Sequence, residues 1–252
     1  MRYHREGSGR PLVLIHKLGS RRQVWKPILP ELAARFDVIA VDLPGFGESP
    51  PDDGPADVPH FADRVVALLD SLGITRPAVA GSSLGGAVAL ALGRRGVARS
   101  VTAFAPIGFY GAGGALWCQA VVTAARLGGG ALGPLLPALL RTRAGRVALC
   151  GLFYAHPAGL PAQDCLDDAR ALIAAPGFDD ARRELATWRH PGGDGVPVTI
   201  AWGTRDLVLP YRQAGRARRL LPGARHVRLE GCGHLPFGDD PAACVRLLLE
   251  AS

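Results

Sequence analysis

The sequence feature that most constrains this chain is the run Gly81-Ser82-Ser83-Leu84-Gly85-Gly86, which fits the pattern Gly-x-Ser-x-Gly. Residues 77–80 before it are typical of a short buried strand, and residues 87–93 after it are typical of a helix of small apolar residues. Because glycine lacks a Cβ, the backbone can turn sharply here and hold Ser83 in a strained conformation with its hydroxyl outward. The pattern in this setting predicts a nucleophilic serine. The alternative is a glycine-rich turn without chemistry.

Short apolar segments alternate with helical ones along most of the chain. Strands that are apolar on both faces, separated by helices, are what a parallel sheet covered by helices requires. The sequence therefore predicts an α/β fold. Strands are expected at residues 11–16, 37–41, 77–80, 100–105, 198–202 and 224–229, and helices at 24–34, 58–72, 85–95, 211–221 and 240–249.

The alternation stops between about residue 107 and residue 194. This segment carries glycine and proline clusters and helical patterns, without a convincing strand. We therefore expect a core built from residues 1–106 and 195–252, with residues 107–194 as a helical insertion.

Composition describes an ordinary globular protein of 252 residues, 48% of them hydrophobic, which is one large domain or a core with an inserted unit. The net charge is +7, but the arginines are scattered without a basic run, so no nucleic-acid surface is expected.

The five cysteines are odd in number and widely spaced, which is typical of buried thiols rather than disulfides or a zinc site. Neither a signal peptide nor a membrane span is found, so the expected compartment is the cytoplasm.

A serine hydroxyl is a poor nucleophile at neutral pH, so Ser83 needs a nearby base and a carboxylate that orients the base. Asp206 lies just beyond the end of one predicted strand, and His234 lies just after the next. Catalytic groups gather at these ends of parallel strands. An aspartate in such a position is also a common helix cap, so Asp194, on a glycine-rich linker, is the substitute for the acid.

With these residues in place, the chain resembles the α/β-hydrolase superfamily, in its branch with a serine nucleophile and a helical cap. The resemblance implies a mostly parallel sheet flanked by helices, Ser83 as nucleophile, His234 as general acid and base, and Asp206 as its partner. It also implies that the insertion covers the active site. The matching motifs are His16, residues 41–49, the run around Ser83, residues 203–206, and residues 233–234 with Asp240-Pro241 behind them.

An acyl-transfer transition state needs two backbone N–H donors around the carbonyl oxygen. The resemblance implies Leu84 as one donor and Leu18 as the other. In the loop His16-Lys17-Leu18-Gly19, Lys17 occupies the position where the family usually has glycine. Lys17 is therefore a candidate for substrate binding, although a lysine stem that bends into solvent is the favoured interpretation.

Aromatic residues offer an apolar lining for a pocket beneath the insertion, although aromatics at helical spacing more often belong to a core. Trp25, Phe109 and Tyr110 are the candidates for substrate contact. The wider set from which they come also contains Trp117, Phe153, Tyr154 and Trp188.

The leading hypothesis is a serine hydrolase without a cofactor or metal, which cleaves an ester or related acyl bond of a small, largely apolar substrate. A carbon–carbon bond hydrolase is less favoured, because the resemblance implies a tryptophan just after the catalytic histidine in that branch of the family, and Leu235 follows His234 here. A biosynthetic cyclase, lyase or acyltransferase on the same fold remains open, and a binding protein without chemistry is a third possibility. The expected partner is a small molecule, with neither nucleic acid nor membrane, and the oligomeric state is not predicted.

Overall fold

A computed structural model describes residues 1–193 and 195–251. Within these residues the centre of the protein is a sheet of seven strands. The strands are β1 (Tyr3–Gly7), β2 (Arg10–Ile15), β3 (Phe36–Val41), β4 (Ala78–Ser82), β5 (Ser100–Phe104), β6 (Val198–Gly203) and β7 (Arg225–Leu229).

The spatial order of the strands is β1-β3-β2-β4-β5-β6-β7. β1 runs antiparallel to β3, and every other neighbouring pair is parallel. The central strands β4 and β6 are buried along their whole length, which explains their continuous apolar sequences. The predicted α/β class with a mostly parallel sheet is confirmed.

The edge strand β1 is absent from the strands that we expected. All five of its residues are exposed, so it carries no apolar pattern. It is held by backbone pairing with β3 and by an ion pair between Arg5 and Asp37, 2.7 Å apart. An edge strand paired on one side only can form without an apolar face, and this is why periodicity did not reveal it.

Helices cover both faces of the sheet. Val13 and Ile15 of β2 belong to one apolar cluster, while Leu12 and Leu14 face the other, as the alternation of side chains along a strand requires. The helices are α1 (Leu29–Ala33), α2 (Val58–Ser71), α3 (Leu84–Arg94), α4 (Gly114–Ala131), α5 (Leu136–Arg141), α6 (Arg143–Cys150), α7 (Ala162–Ala174), α8 (Phe178–Thr187), α9 (Ala214–Leu220), α10 (Pro236–Asp239) and α11 (Pro241–Ala251).

One expected helix, over residues 24–34, is broken into two pieces. A 3-10 turn covers Arg22–Trp25, and α1 begins only at Leu29. Pro27 lies between the two pieces, and Pro30 stands in the first turn of α1, where a missing N–H costs nothing. The two prolines therefore explain the interruption.

The connection between β5 and β6 is helical. In its described part, residues 105–193 and 195–197, it contains α4 to α8 and two 3-10 turns but no strand. Four of the five cysteines are buried free thiols, and Cys118 is half-buried. None of the helices in residues 1–193 and 195–251 is long and apolar enough to cross a membrane.

Candidate active site

Ser83 stands on the turn between β4 and α3. Its φ of 55° and ψ of −109° lie in a region that residues with side chains rarely adopt. A Cβ on Gly81 would lie 2.0 Å from the Gly85 oxygen, and a Cβ on Gly85 would lie 2.1 Å from the Ile15 oxygen. No side chain fits at either glycine. The two glycines therefore allow the close approach that keeps Ser83 in its strained conformation.

Asp206 and His234 are joined by a hydrogen bond of 2.8 Å between Oδ2 and Nδ1, and both side chains are buried. Because a carboxylate only accepts, Nδ1 carries the proton, and Nε2 of the neutral ring is left as an acceptor. Oδ1 of Asp206 accepts the N–H groups of Val208 and Leu209 at 2.9 and 2.8 Å. One carboxylate thus caps a turn and orients the imidazole. Asp194, the substitute acid, lies outside the described residues.

The loops that carry Asp206 and His234 are tied to each other. The N–H of Gly231 donates to Thr204 Oγ1 at 2.9 Å, and a Cβ on Gly203 would lie only 2.2 Å from the Gly233 oxygen. These contacts fix the spacing between the acid and the imidazole before any substrate binds.

One cavity is lined by two of the three predicted catalytic residues and by both predicted oxyanion donors. Ser83 and His234 line it, as do Leu18 and Leu84, the two predicted N–H donors. The free volume is about 30 Å³, enough for about two water molecules. The neighbouring side chains therefore have to move before a substrate can reach Ser83.

The loop that contains Leu18 is anchored by His16. His16 Nδ1–H donates to the Lys17 carbonyl at 2.7 Å, while Nε2 accepts the N–H of Leu43 at 3.0 Å. Burial lowers the pKa of His16 to about 4, so the ring is neutral and can play both roles. In a trans peptide the carbonyl and the next N–H point in opposite directions. The bond to the Lys17 carbonyl therefore fixes the direction of the Leu18 N–H.

A family model described as "Alpha/beta hydrolase family" matches residues 12–247. The chain belongs to the α/β-hydrolase family.

Several known proteins are similar to this chain. An uncharacterised protein of Mycobacterium tuberculosis is 30% identical over 96% of this chain and 75% of that protein. A pimeloyl-[acyl-carrier protein] methyl ester esterase of Neisseria meningitidis is 32% identical over 94% of this chain and 93% of that protein. The structure of a thermophilic esterase from Thermogutta terrifontis, 22% identical, superposes with a TM-score of 0.78 over 99% of this chain and 91% of that one.

Lys17 of this α/β hydrolase does not bend into solvent, so the favoured interpretation of its sequence position is wrong. The residue is only 7% exposed. Its Nζ lies 4.6 Å from the centroid of the Phe153 ring and 3.5 Å from the Leu18 oxygen. The contact with Phe153, from the β5–β6 connection, holds the side chain away from solvent.

The three aromatic candidates for substrate contact fall into two groups. Tyr110 lines the cavity of the α/β hydrolase beside Ser83, whereas Trp25 and Phe109 are not among its lining residues. Trp25 is fully buried, with its ring 4.3 Å from that of Phe237, and Phe109 stacks on His190 at 5.2 Å. Both therefore serve as packing residues. Their sequence positions did not separate a core aromatic from a pocket aromatic.

Asp239 is a residue of the site region that the sequence analysis missed. Its carboxylate accepts the N–H of Gly233, beside His234, at 2.8 Å. It also accepts the N–H groups of Ala155 and His156, at 3.0 and 2.8 Å, from the helical insertion. Asp239 thus joins the histidine loop of the α/β hydrolase to the insertion. Nothing in the local sequence points to partners more than eighty positions away.

In residues 1–193 and 195–251, no three or more histidine, cysteine, aspartate or glutamate side chains are grouped in a way that could bind a metal ion.

Proposed function

We propose that this protein is a serine hydrolase that cleaves an ester or related acyl bond through an acyl-enzyme on Ser83. The observation that carries the proposal is the buried hydrogen bond between His234 and Asp206, which leaves Nε2 of His234 as an acceptor, in a histidine that lines the same cavity as Ser83. A hydroxyl on a strained turn, beside such an imidazole, is what nucleophilic catalysis requires.

In the acylation step, Ser83 Oγ attacks the carbonyl carbon while His234 Nε2 takes the hydroxyl proton. The carbonyl oxygen becomes negative, and the N–H groups of Leu18 and Leu84 stabilise it. Leu84 is the first residue of α3, so its N–H has no acceptor within its own helix. The tetrahedral intermediate then expels the alcohol, which takes the proton from His234.

Deacylation repeats the same steps with water. His234 Nε2 takes a proton from a water molecule, the hydroxide attacks the acyl carbon, and the free acid leaves as Ser83 recovers its proton from His234. Asp206 stabilises the imidazolium that forms in both halves of the reaction.

The helical insertion would act as the cap that selects the substrate. Tyr110, Val122 and Phe153 from the β5–β6 connection line the cavity together with Ser83. A second cavity, of about 250 Å³, is lined by residues of the insertion together with Lys17 and Leu235 of the core, and most of its lining residues are apolar. These walls favour a small, largely apolar substrate.

The test is turnover of a chain-length series of p-nitrophenyl esters by the parent protein and by Ser83→Ala. We expect Ser83→Ala to lower kcat by about 10⁴-fold or more, because the remaining groups cannot form an acyl-enzyme.

The matched control is Ser82→Ala, one position earlier. Ser82 is fully buried, and its hydroxyl has no hydrogen-bond partner among the described residues, so its removal should leave turnover near the parent rate. Equal turnover by the parent and Ser83→Ala would overturn the proposal. Covalent labelling of Ser83 without turnover of any ester would favour the biosynthetic alternative.

A further inference from the structure

Lys17 is a buried ammonium group with few partners. An ammonium has three N–H donors, and a buried charge is costly unless hydrogen bonds or an opposite charge compensate it. The only hydrogen bond from Lys17 Nζ in the described chain is the one of 3.5 Å to the Leu18 oxygen. Lys17 also belongs to none of the ion pairs formed by residues 1–193 and 195–251.

The position of Lys17 connects the two cavities described above. Lys17 and Phe153 line the cavity beside Ser83, and the same two residues line the apolar cavity of the insertion. A substrate that reaches from the catalytic serine into the insertion therefore passes the ammonium group. Lys17 also directly precedes Leu18, a proposed oxyanion donor.

The electrostatic surroundings of Lys17 favour a ligand with a single negative charge. Asp168 of α7 lines the larger cavity and is near enough to raise the pKa of Lys17, against the stronger lowering effect of burial. The net result is a pKa of about 8, so the group is still charged at neutral pH. Asp168 itself accepts a hydrogen bond from Tyr154 Oη at 2.9 Å. One cation with a nearby carboxylate suits a monoanion better than a doubly charged phosphate.

We propose that Lys17 binds a carboxylate group of the substrate, so that this enzyme prefers esters that carry a second, free carboxylate on an apolar chain. The inference rests on the proposed function and names the substrate class of that site. Its physical basis is a charge-assisted hydrogen bond in a water-poor cavity, formed to a cation that is otherwise poorly paired.

The first experiment compares kcat/KM for two series of esters of equal chain length, half-esters of dicarboxylic acids and esters of monocarboxylic acids. In Lys17→Met we expect the ratio of kcat/KM on half-esters to that on neutral esters to fall by about 10- to 100-fold. A third series, with the carboxylate on the alcohol part, determines which side of the ester faces Lys17.

The control is Lys26→Met, at the only other lysine of the chain. The Lys26 side chain is 67% exposed and pairs with Asp164 at 2.7 Å, so its replacement should leave the ratio unchanged. Thermal unfolding of both variants checks their folding. Methionine keeps most of the volume of the Lys17 side chain. The substitution removes a buried charge, and protein cores usually tolerate such a change.

The result that would overturn the inference is an equal loss on charged and neutral esters, which would indicate that Lys17 supports the fold or the oxyanion only. A second measurement makes the outcome independent of turnover. In the Ser83→Ala background, calorimetry should show that a dicarboxylic acid binds more tightly than the matched monocarboxylic acid, and Lys17→Met should remove this preference. Preference without turnover would contradict the hydrolase proposal alone, and turnover without preference would contradict the Lys17 proposal alone.

Discussion

His16 uses both ring nitrogens to hold the backbone beside the proposed oxyanion site. Its Nδ1–H binds the Lys17 carbonyl, and its Nε2 accepts the N–H of Leu43. The sequence marked His16 only as part of a motif. Its function as an anchor required knowledge that residue 43 folds back onto residue 16.

Two substitutions at His16 separate these bonds. Asparagine places an N–H near the position of Nδ1, whereas glutamine places an oxygen near the position of Nε2. We expect His16→Gln to lower kcat by about 10²-fold, because the peptide that presents Leu18 loses its anchor, and we expect His16→Asn to retain more of kcat. Ester kinetics with thermal unfolding of both variants check this. Equal kcat values with equal stability would contradict the positioning role.

Two buried histidines predict how stability depends on pH. Burial lowers the pKa of both His16 and His190 from 6.5 to about 4. The unfolded chain therefore takes up protons near pH 6.5, while the folded chain takes them up only near pH 4. The free energy of unfolding contributed by these groups is fully present above pH 6.5 and falls as the pH is lowered from 6.5 to 4.

Urea unfolding between pH 7 and about pH 4 tests this dependence. His190→Gln should make the decline shallower, because one of the two shifted groups is gone. His4→Gln is the control, since the His4 side chain is 48% exposed, and it should keep the slope of the parent. The same slope in His190→Gln as in the parent would contradict the assignment.

At the scale of the elements, the turn around Ser83 between β4 and α3 requires glycine, because two backbone segments pack closely against each other there. Gly85→Ala would place a Cβ 2.1 Å from the Ile15 oxygen, so α3 would have to move away from β2. We expect a loss of about 3 kcal/mol or more in the free energy of unfolding.

Gly130→Ala, in the exposed part of α4, is the matched control. Apart from the neighbouring residues and backbone of its own helix, no heavy atom of the described chain lies within 4 Å of the added Cβ, so this change should raise stability by about 0.5–1 kcal/mol. Urea denaturation measures both variants. A Gly85→Ala protein as stable as the parent would show that the turn tolerates a side chain.

Most of the elements that were predicted correctly have a local pattern of apolar residues in the sequence. The strands β2 to β7 were expected within a residue or two of their bounds, and β2 to β6 each have a mostly apolar segment between turn signals. β1 was missed because its exposed residues follow no apolar pattern. The helix expected over residues 24–34 was predicted to be longer than it is, because proline interrupts it.

The candidate site shows the same division. Ser83, Asp206 and His234 were predicted as catalytic residues because each follows a strand in an ordered motif, and they stay a prediction. The burial of Lys17 and the contacts of Asp239 depend on packing between the core and the helical insertion. Their local sequences contain no signal for those contacts.

At the scale of the whole molecule, Asp239 connects the proposed base to the insertion. Asp239→Asn keeps the shape but replaces one acceptor oxygen with an N–H₂ group, which would face backbone N–H donors. We expect a loss of about 1–3 kcal/mol of stability and a lower kcat, because the loop of His234 loosens.

The neighbouring change Asp240→Asn is the control. Asp240 accepts the N–H of Ala243 at 2.9 Å at the start of α11, and asparagine is an equally good residue for that position. Its stability and kcat should stay near the parent values. If Asp239→Asn had the same stability and kcat as Asp240→Asn, the connection between the His234 loop and the insertion would not contribute to function.

The activation of Ser83 by His234 and Asp206 is tested most directly by the rate of covalent labelling with a fluorophosphonate, followed by mapping of the modified peptide. The account predicts a single adduct on Ser83, with a labelling rate lower by about 10³-fold or more in His234→Gln and markedly lower in Asp206→Asn. An adduct on another residue, or a labelling rate in His234→Gln equal to that of the parent, would contradict it.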